Sequence, residues 1–399
     1  MFHQGERIFM AGAAGEPTAL VRDVLAAGAH LITSFVPGVN NLPAADLADE
    51  TRVTGLFAHP GMMRDRPDAF DRLPVSYGQF LKMLRGDFRL DTAVIQMSPP
   101  DDAGRCSLGP MAEFSLLAAR RARRVVAVLN AKTPSLPGAP HLTLADFDAV
   151  VEADTPLPVY GLPKNGISKN GVADDEVSRA IAAHVISVLP ARPTLQLGLG
   201  KIPNALTAGL STLRDLHFHS GMLSDGIIAL HDAGALASGN PHRTTALLGS
   251  PALYEWARDH PEILVCGCDA IHDPRVLHAV ERLVAINSAL EVDLSGQCDL
   301  EFANGRAVSG PGGAPDFARA AASCPDGCSI IALPASAGGT SRIVTRLSSG
   351  NVTLGRSDVD IIVTEHGGAD LRGKDVAQRR RALIAIAAPE HRDSLAAAG

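Results

Sequence analysis

Residues 194–200 read TLQLGLG, and the chain then enters 202–213, where apolar residues return at helical spacing. An apolar run of strand length that ends on Gly198-Leu199-Gly200 and opens into a helix is a strand–glycine–helix junction. Pro203 falls in the first turn of that helix, where a missing N–H is tolerated. Such a junction presents backbone N–H groups and the positive end of a helix dipole to an anion or an oxyanion. It is neither GxGxxG nor a Walker loop, so taken alone it reads equally well as a tight turn.

The same alternation continues on both sides. VVAVL (125–129) follows a helix-like stretch at 113–122. Further strands are expected at 284–294, 329–333 and 360–364, and an Arg-rich helix at 377–387. Short apolar runs alternating with helices predict an α/β protein with largely parallel, buried sheets. LPVYGLPKNGISKNG (157–171) is rich in Pro, Gly and Asn and reads as a linker or long loop. A polar helix over 174–189 comes next. We therefore expect two domains, residues 1–185 and 186–399, a division that suits a chain of 399 residues.

Composition narrows the function classes. Apolar residues make up 46% and charged residues 20%, ordinary for a globular chain and incompatible with bulk disorder. The net charge of −7 disfavours a general nucleic-acid or anionic-membrane binder. Arg120, Arg121, Arg123 and Arg124 read as a helix end, and Arg379–Arg381 as a solvated helix face. No apolar run resembles a signal peptide or a membrane span, so a cytoplasmic protein is expected. The six cysteines have no usual zinc spacing and read as reduced thiols, with no metal expected.

Two more stretches look chemical. Ser309-Gly310-Pro311-Gly312-Gly313-Ala314-Pro315-Asp316-Phe317 carries three glycines within four residues, which lets backbone approach a ligand closely. Asp316 is expected to cap the helix that follows. INSALEVD (286–293) embeds Asn287, Glu291 and Asp293 in a strand pattern, and buried polar groups there must find partners.

Order and spacing of these motifs across nearly the whole chain resemble the acetyl-CoA hydrolase/transferase family, which includes acetate, butyrate and 4-hydroxybutyrate CoA-transferases. The matching stretches are Gly15-Glu16-Pro17, QMSPPD (96–101), GRCSLG (104–109), LGLGKIPNAL (197–206), INSALEVDLSGQ (286–297) and SGPGGAPDFARAA (309–321). They continue with IIALPASA (330–337), SRIV (341–344), VTEHGGADLRGK (363–374) and ALIAIAAPEHRDSL (382–395). The resemblance implies two CoA-transferase-like α/β domains with the active site in the cleft between them, and a homodimer or higher homo-oligomer. It implies coenzyme A or acyl-CoA as substrate, a small-molecule acceptor, and no metal or redox cofactor.

The family reaction is ping-pong: a glutamate attacks the thioester and later carries CoA as a glutamyl thioester. In the family that glutamate lies in a His-Ser/Thr-Glu-Met stretch. Here the stretch reads Phe218-His219-Ser220-Gly221-Met222-Leu223-Ser224-Asp225-Gly226, with Gly221 where the glutamate is expected. Glycine has no side chain, so no anhydride forms at this position.

Three readings follow. Another carboxylate takes over, from Glu16, Asp225, Glu291 or Glu365. Alternatively, the space at Gly221 admits water, an amine or a hydroxyl to a short-chain acyl-CoA, giving direct acyl transfer or hydrolysis. In the third, the chain is a catalytically silent CoA-binding subunit. The second is favoured, with His219, Gly221, Asn287 and Glu16 as catalytic positions, His219 being the general base. Gly198, Gly200, Gly310, Gly312 and Gly313 are then the expected CoA-binding positions. The alternative for each is a structural role: a satisfied histidine, a turn, a hydrogen-bond post.

Overall fold

The structure is a computed structural model and describes residues 1–160, 176–198 and 200–398. Most of the linker expected at 157–171, and the first two residues of the helix expected at 174–189, lie outside the described residues. That helix is seen as Glu176–Ser187. It spans the expected domain boundary and packs on the second sheet and on helix Lys201–Leu210.

Two large sheets organise the described residues. The first has seven strands in the spatial order Phe70–Arg72, Arg52–Gly55, His30–Thr33, Arg7–Met10, Leu90–Met97, Ala122–Asn130, Ala149–Ala153, all parallel. The second runs Ile263–Val265, His242–Thr244, His217–Ser220, Thr194–Leu197, Leu283–Asn287, Cys328–Ala332, Ile361–Thr364, with antiparallel Gly367–Asp370 at its edge. The two orders are the same through seven strands. In each half the chain lays four strands outward in one direction, then returns to the first strand and continues the other way. The order therefore reverses beside Arg7–Met10 in one half and beside Thr194–Leu197 in the other. Crevices at such reversal points, outside the carboxyl ends of the strands, are where open α/β sheets bind ligands.

The strands read as buried because they are. Leu90–Met97 buries seven of its eight residues, as a strand covered on both faces must. Helix Tyr77–Arg85 starts where it does because Ser76 and Gln79 form a reciprocal capping box.

Four local expectations change. The strand expected at 284–294 is two strands. Leu283–Asn287 enters the eight-stranded sheet, while Glu291–Asp293 pairs in a separate three-stranded sheet. Ser288 Oγ donates to the Ala332 carbonyl at 2.8 Å at the break between them. Arg123 and Arg124 lie in strand Ala122–Asn130, not at a helix end. Arg379 and Arg380 are not a merely solvated face: they donate to the carbonyls of Ser295 and Arg356, and of Leu395 and Ala396. Asp316 does not cap the helix Ala314–Ser323; its carboxylate accepts from Ser76 Oγ and the Gly78 N–H in the other half. All six cysteines are thiols, four of them buried. Among the described residues no helix is long and apolar enough to cross a membrane.

Candidate active site

Where the two halves meet, a cavity of about 410 Å³ opens at the second sheet's reversal point. Gln196, Leu197 and Gly198 end one strand there and Asn287 ends its neighbour. The first half closes the cavity with Ala13, just beyond its own first strand, and with Tyr77 and Glu113. Six of the nine positions expected from sequence line it: Gly198, Gly221, Asn287, Gly310, Gly312 and Gly313.

The other three do not. Gly200 is the N-cap of helix Lys201–Leu210 with φ +127°, a conformation that glycine adopts without penalty. His219 is buried, with Nε2 against the Ile271 carbonyl at 3.1 Å, and burial lowers its pKa. Glu16 accepts from Asn40 Nδ2 at 2.5 Å, and burial pushes its pKa up to about 7.

Gly221 follows the strand His217–Ser220, and its carbonyl accepts from Thr245 Oγ1 at 2.5 Å. A Cβ built on Gly221 would stand 3.4 Å from His272 Nε2 and 3.5 Å from His272 Cε1. His272 is 2% exposed and lines the same cavity. Tyr77 and Phe317 both meet its ring edge-on, each at 5.0 Å between centroids. Among the described residues neither of its ring nitrogens has a hydrogen-bond partner. Asp316 Oδ2 comes nearest to Nδ1, at 3.9 Å, beyond hydrogen-bond reach. Burial, and second the nearby His219, pull the His272 pKa down to about 3, so the ring is neutral at pH 7. A buried imidazole with two unused nitrogens facing a cavity is poised for a ligand.

Glu113 is the only carboxylate lining the cavity among the described residues. Tyr77 Oη donates to its Oε1 at 2.6 Å and Ser34 Oγ to its Oε2. Burial raises its pKa to about 7 against the lowering effect of those bonds. Its backbone is held at φ +34°, and the Ala13 backbone at +47°. Non-glycine residues in such conformations gather at sites whose surroundings over-determine them. The carboxylates expected as substitutes are engaged elsewhere. Asp225 holds Ser250, Glu291 holds Ser348 and Glu365 accepts from the Ala335 N–H.

The glycine loop has a packing reason as well as any ligand reason. A Cβ on Gly310 would stand 2.1 Å from the Leu56 carbonyl oxygen, and one on Gly313 would stand 2.2 Å from His272 Cε1. The Tyr77 N–H donates to the Gly312 carbonyl at 2.9 Å. These glycines let the two halves close on each other and leave room for the His272 ring.

Gln196 and Asn287 pair amide to amide: Nδ2 of Asn287 donates to Oε1 of Gln196 at 2.9 Å, and Nε2 of Gln196 to Oδ1 of Asn287 at 3.2 Å. Each NH₂ keeps a second proton for a ligand oxygen.

His272, Glu113, Tyr77 and Gln196 escaped the sequence reading. His272 sits in IHDPR and Glu113 in PMAEF, and neither stretch has a periodicity or spacing that marks a site. The only local signal is an acidic residue just ahead of a helix, which as often serves the helix dipole.

Residues 61–160 match the acetyl-CoA hydrolase/transferase N-terminal domain and residues 249–398 the C-terminal domain of the same name. A 4-hydroxybutyrate coenzyme A transferase of Clostridium kluyveri is 33% identical over 98% of this chain and 92% of its own length. A succinyl-CoA:cyclohexane-1-carboxylate CoA transferase of Geobacter metallireducens is 31% identical over 96% of this chain and 88% of its own. The crystal structure of RipA from Yersinia pestis superposes with a TM-score of 0.87 at 27% identity, covering 99% of this chain and 93% of RipA.

Proposed function

Given that the chain belongs to the acetyl-CoA hydrolase/transferase family, we propose that it opens a short-chain or related acyl-CoA thioester by direct acyl transfer or hydrolysis, with no glutamyl-CoA intermediate. The observation that carries this reading is the Gly221–His272 pair: the chain offers no nucleophile at Gly221, and a neutral imidazole faces the space left there.

Water, an alcohol or an amine takes that space. Its oxygen or nitrogen attacks the thioester carbonyl carbon, the carbon–sulfur bond breaks, and CoA leaves as the thiolate. The neutral His272 ring accepts a hydrogen bond from the nucleophile and aligns it, and the nucleophile's proton passes to the sulfur as the carbon–sulfur bond breaks, so no buried imidazolium has to persist. The second amide protons of Asn287 and Gln196 are the donors on hand for the developing oxyanion. Glu113, fixed by Ser34 and Tyr77, holds the wall against which the acyl group lies.

A mass-spectrometric time course with a short-chain acyl-CoA panel, with and without free carboxylic acids, tests this. Free CoA should accumulate without acid dependence, and borohydride should trap no enzyme-bound thioester. New acyl-CoA species that depend on the added acid would overturn it. Such a result would favour CoA transfer through a substitute carboxylate. Glu113 is then the residue to examine, since it alone among the described carboxylates lines the cavity.

A further inference from the structure

Away from the cavity, at the Ile263 edge of the second sheet, two imidazoles and a carboxylate converge. His231 lies in the last turn of helix Gly226–Asp232, which closes at Gly234 with φ +66°. His260 and Glu262 lie in the turn between helix Pro251–Arg258 and strand Ile263–Val265. One donor atom from each of the three residues lies within 4.8 Å of the other two. None of the three lines the candidate active site.

We propose that His231, His260 and Glu262 form a site for one divalent transition-metal ion of the zinc, nickel and copper class. Donors around a tetrahedral ion with bonds of about 2.1 Å stand roughly 3.4 Å apart, so the cluster must close by little more than 1 Å. The side chains of His231 and Glu262 are 41% and 43% exposed and have the freedom to do so. His260 Nδ1 and Glu262 Oε1 are hydrogen-bonded at 2.7 Å, a contact that an ion would replace as the two donors open by less than about 1 Å. Asp232 Oδ1 stands 3.3 Å from His231 Nδ1, the carboxylate-behind-imidazole arrangement that orients a ligating ring.

The rings are also held from the side. Trp256 stacks on His260 at 3.9 Å with 20° between planes, and the His231 and His260 centroids are 4.4 Å apart. Two imidazoles with one carboxylate suit zinc, nickel and copper, whereas magnesium and calcium prefer all-oxygen sites. Three protein donors leave at least one position for water. An ion here would tie the end of helix Gly226–Asp232 to the turn after helix Pro251–Arg258. The loop leading into the first of these helices carries Gly221 and Met222 of the cavity wall.

Trp256 is the only tryptophan of the chain, so it reports on this site alone. The test titrates untagged protein in a non-coordinating buffer with zinc, nickel and copper chlorides, reading tryptophan fluorescence and calorimetric stoichiometry. One equivalent should bind saturably, with copper and nickel quenching the emission. His231→Ala should weaken binding by at least about tenfold, and so should the isosteric Glu262→Gln, which keeps the turn intact. His278→Ala, at an exposed histidine elsewhere, should bind as the unaltered protein does. No saturable response to any of the three ions up to about 1 mM, or unchanged affinity in both folded variants, would overturn the site.

Discussion

The Nε2 atom of His272 stands 3.4 Å from the point at which a side chain on Gly221 would begin. That distance is tight for a Cβ but does not forbid one, and Phe317 Cε2 at 3.9 Å is the next neighbour. No φ in the left-handed region excludes a side chain at 221 either.

Gly221→Glu should therefore fold and place a carboxylate in the cavity beside His272. CoA exchange between acyl-CoA and free acids should rise at least about tenfold over the unaltered chain, with an enzyme-bound thioester trapped by borohydride. A folded variant without exchange would mean that the cavity does not support the family reaction even with the carboxylate restored.

His272→Leu separates function from stability. Among the described residues its two buried ring nitrogens have no partner, so an apolar side chain of similar size relieves an unsatisfied pair. The variant's melting temperature should be no lower than that of the unaltered protein, while kcat falls by about 10²–10⁴ with little change in KM. Unchanged turnover would remove His272 from the reaction.

Glu113 should make stability depend on pH in a known direction. Its folded pKa of about 7 lies above the ordinary 4.5, so the folded state holds a proton that the unfolded chain releases between those values. Stability from this group is present below about pH 4.5 and declines as pH rises to 7. Histidines 272 and 242, pulled down to about 3 and 4, act in the opposite sense from those values up to about 6.5, across much of the same range. Glu113→Gln isolates the effect. The variant should gain on the unaltered chain between pH 5 and 8 by on the order of 2–3 kcal/mol in urea unfolding. A difference independent of pH would contradict the raised pKa.

Asp316→Ala should loosen the closure of the two halves. It leaves Ser76 Oγ and the Gly78 N–H without the carboxylate that both contact. Chemical denaturation should show a loss of about 1–3 kcal/mol. The acyl-CoA KM should rise with it, because Tyr77 and Gly312 line the cavity from opposite sides of that contact. A stable variant with an unchanged KM would mean that the cavity wall does not depend on this bond.

The part of the fold legible in the sequence was local. The junction at residues 194–200 and the two-sided burial of the parallel strands follow from period within a few residues, whereas the one cap read from the sequence, Asp316, instead bridges the two halves. The motif order was enough to point to the family. The coincidence of strand order in the two halves was not legible, because it lies in pairings such as Thr194 with Leu283, 89 positions apart. Nor was the site complete: Gly221, His272, Glu113 and Tyr77 come from four separate stretches and meet only when the halves close. The glycines of 310–313 show the difference most plainly. In the sequence they read as a cradle for a ligand. In the fold two of them also keep clear of Leu56 and of the His272 ring, contacts made by residues hundreds and tens of positions away. Period and capping act over a turn or a strand, whereas steric exclusion and burial act through space, so the tertiary structure alone decided which side chains share the cavity.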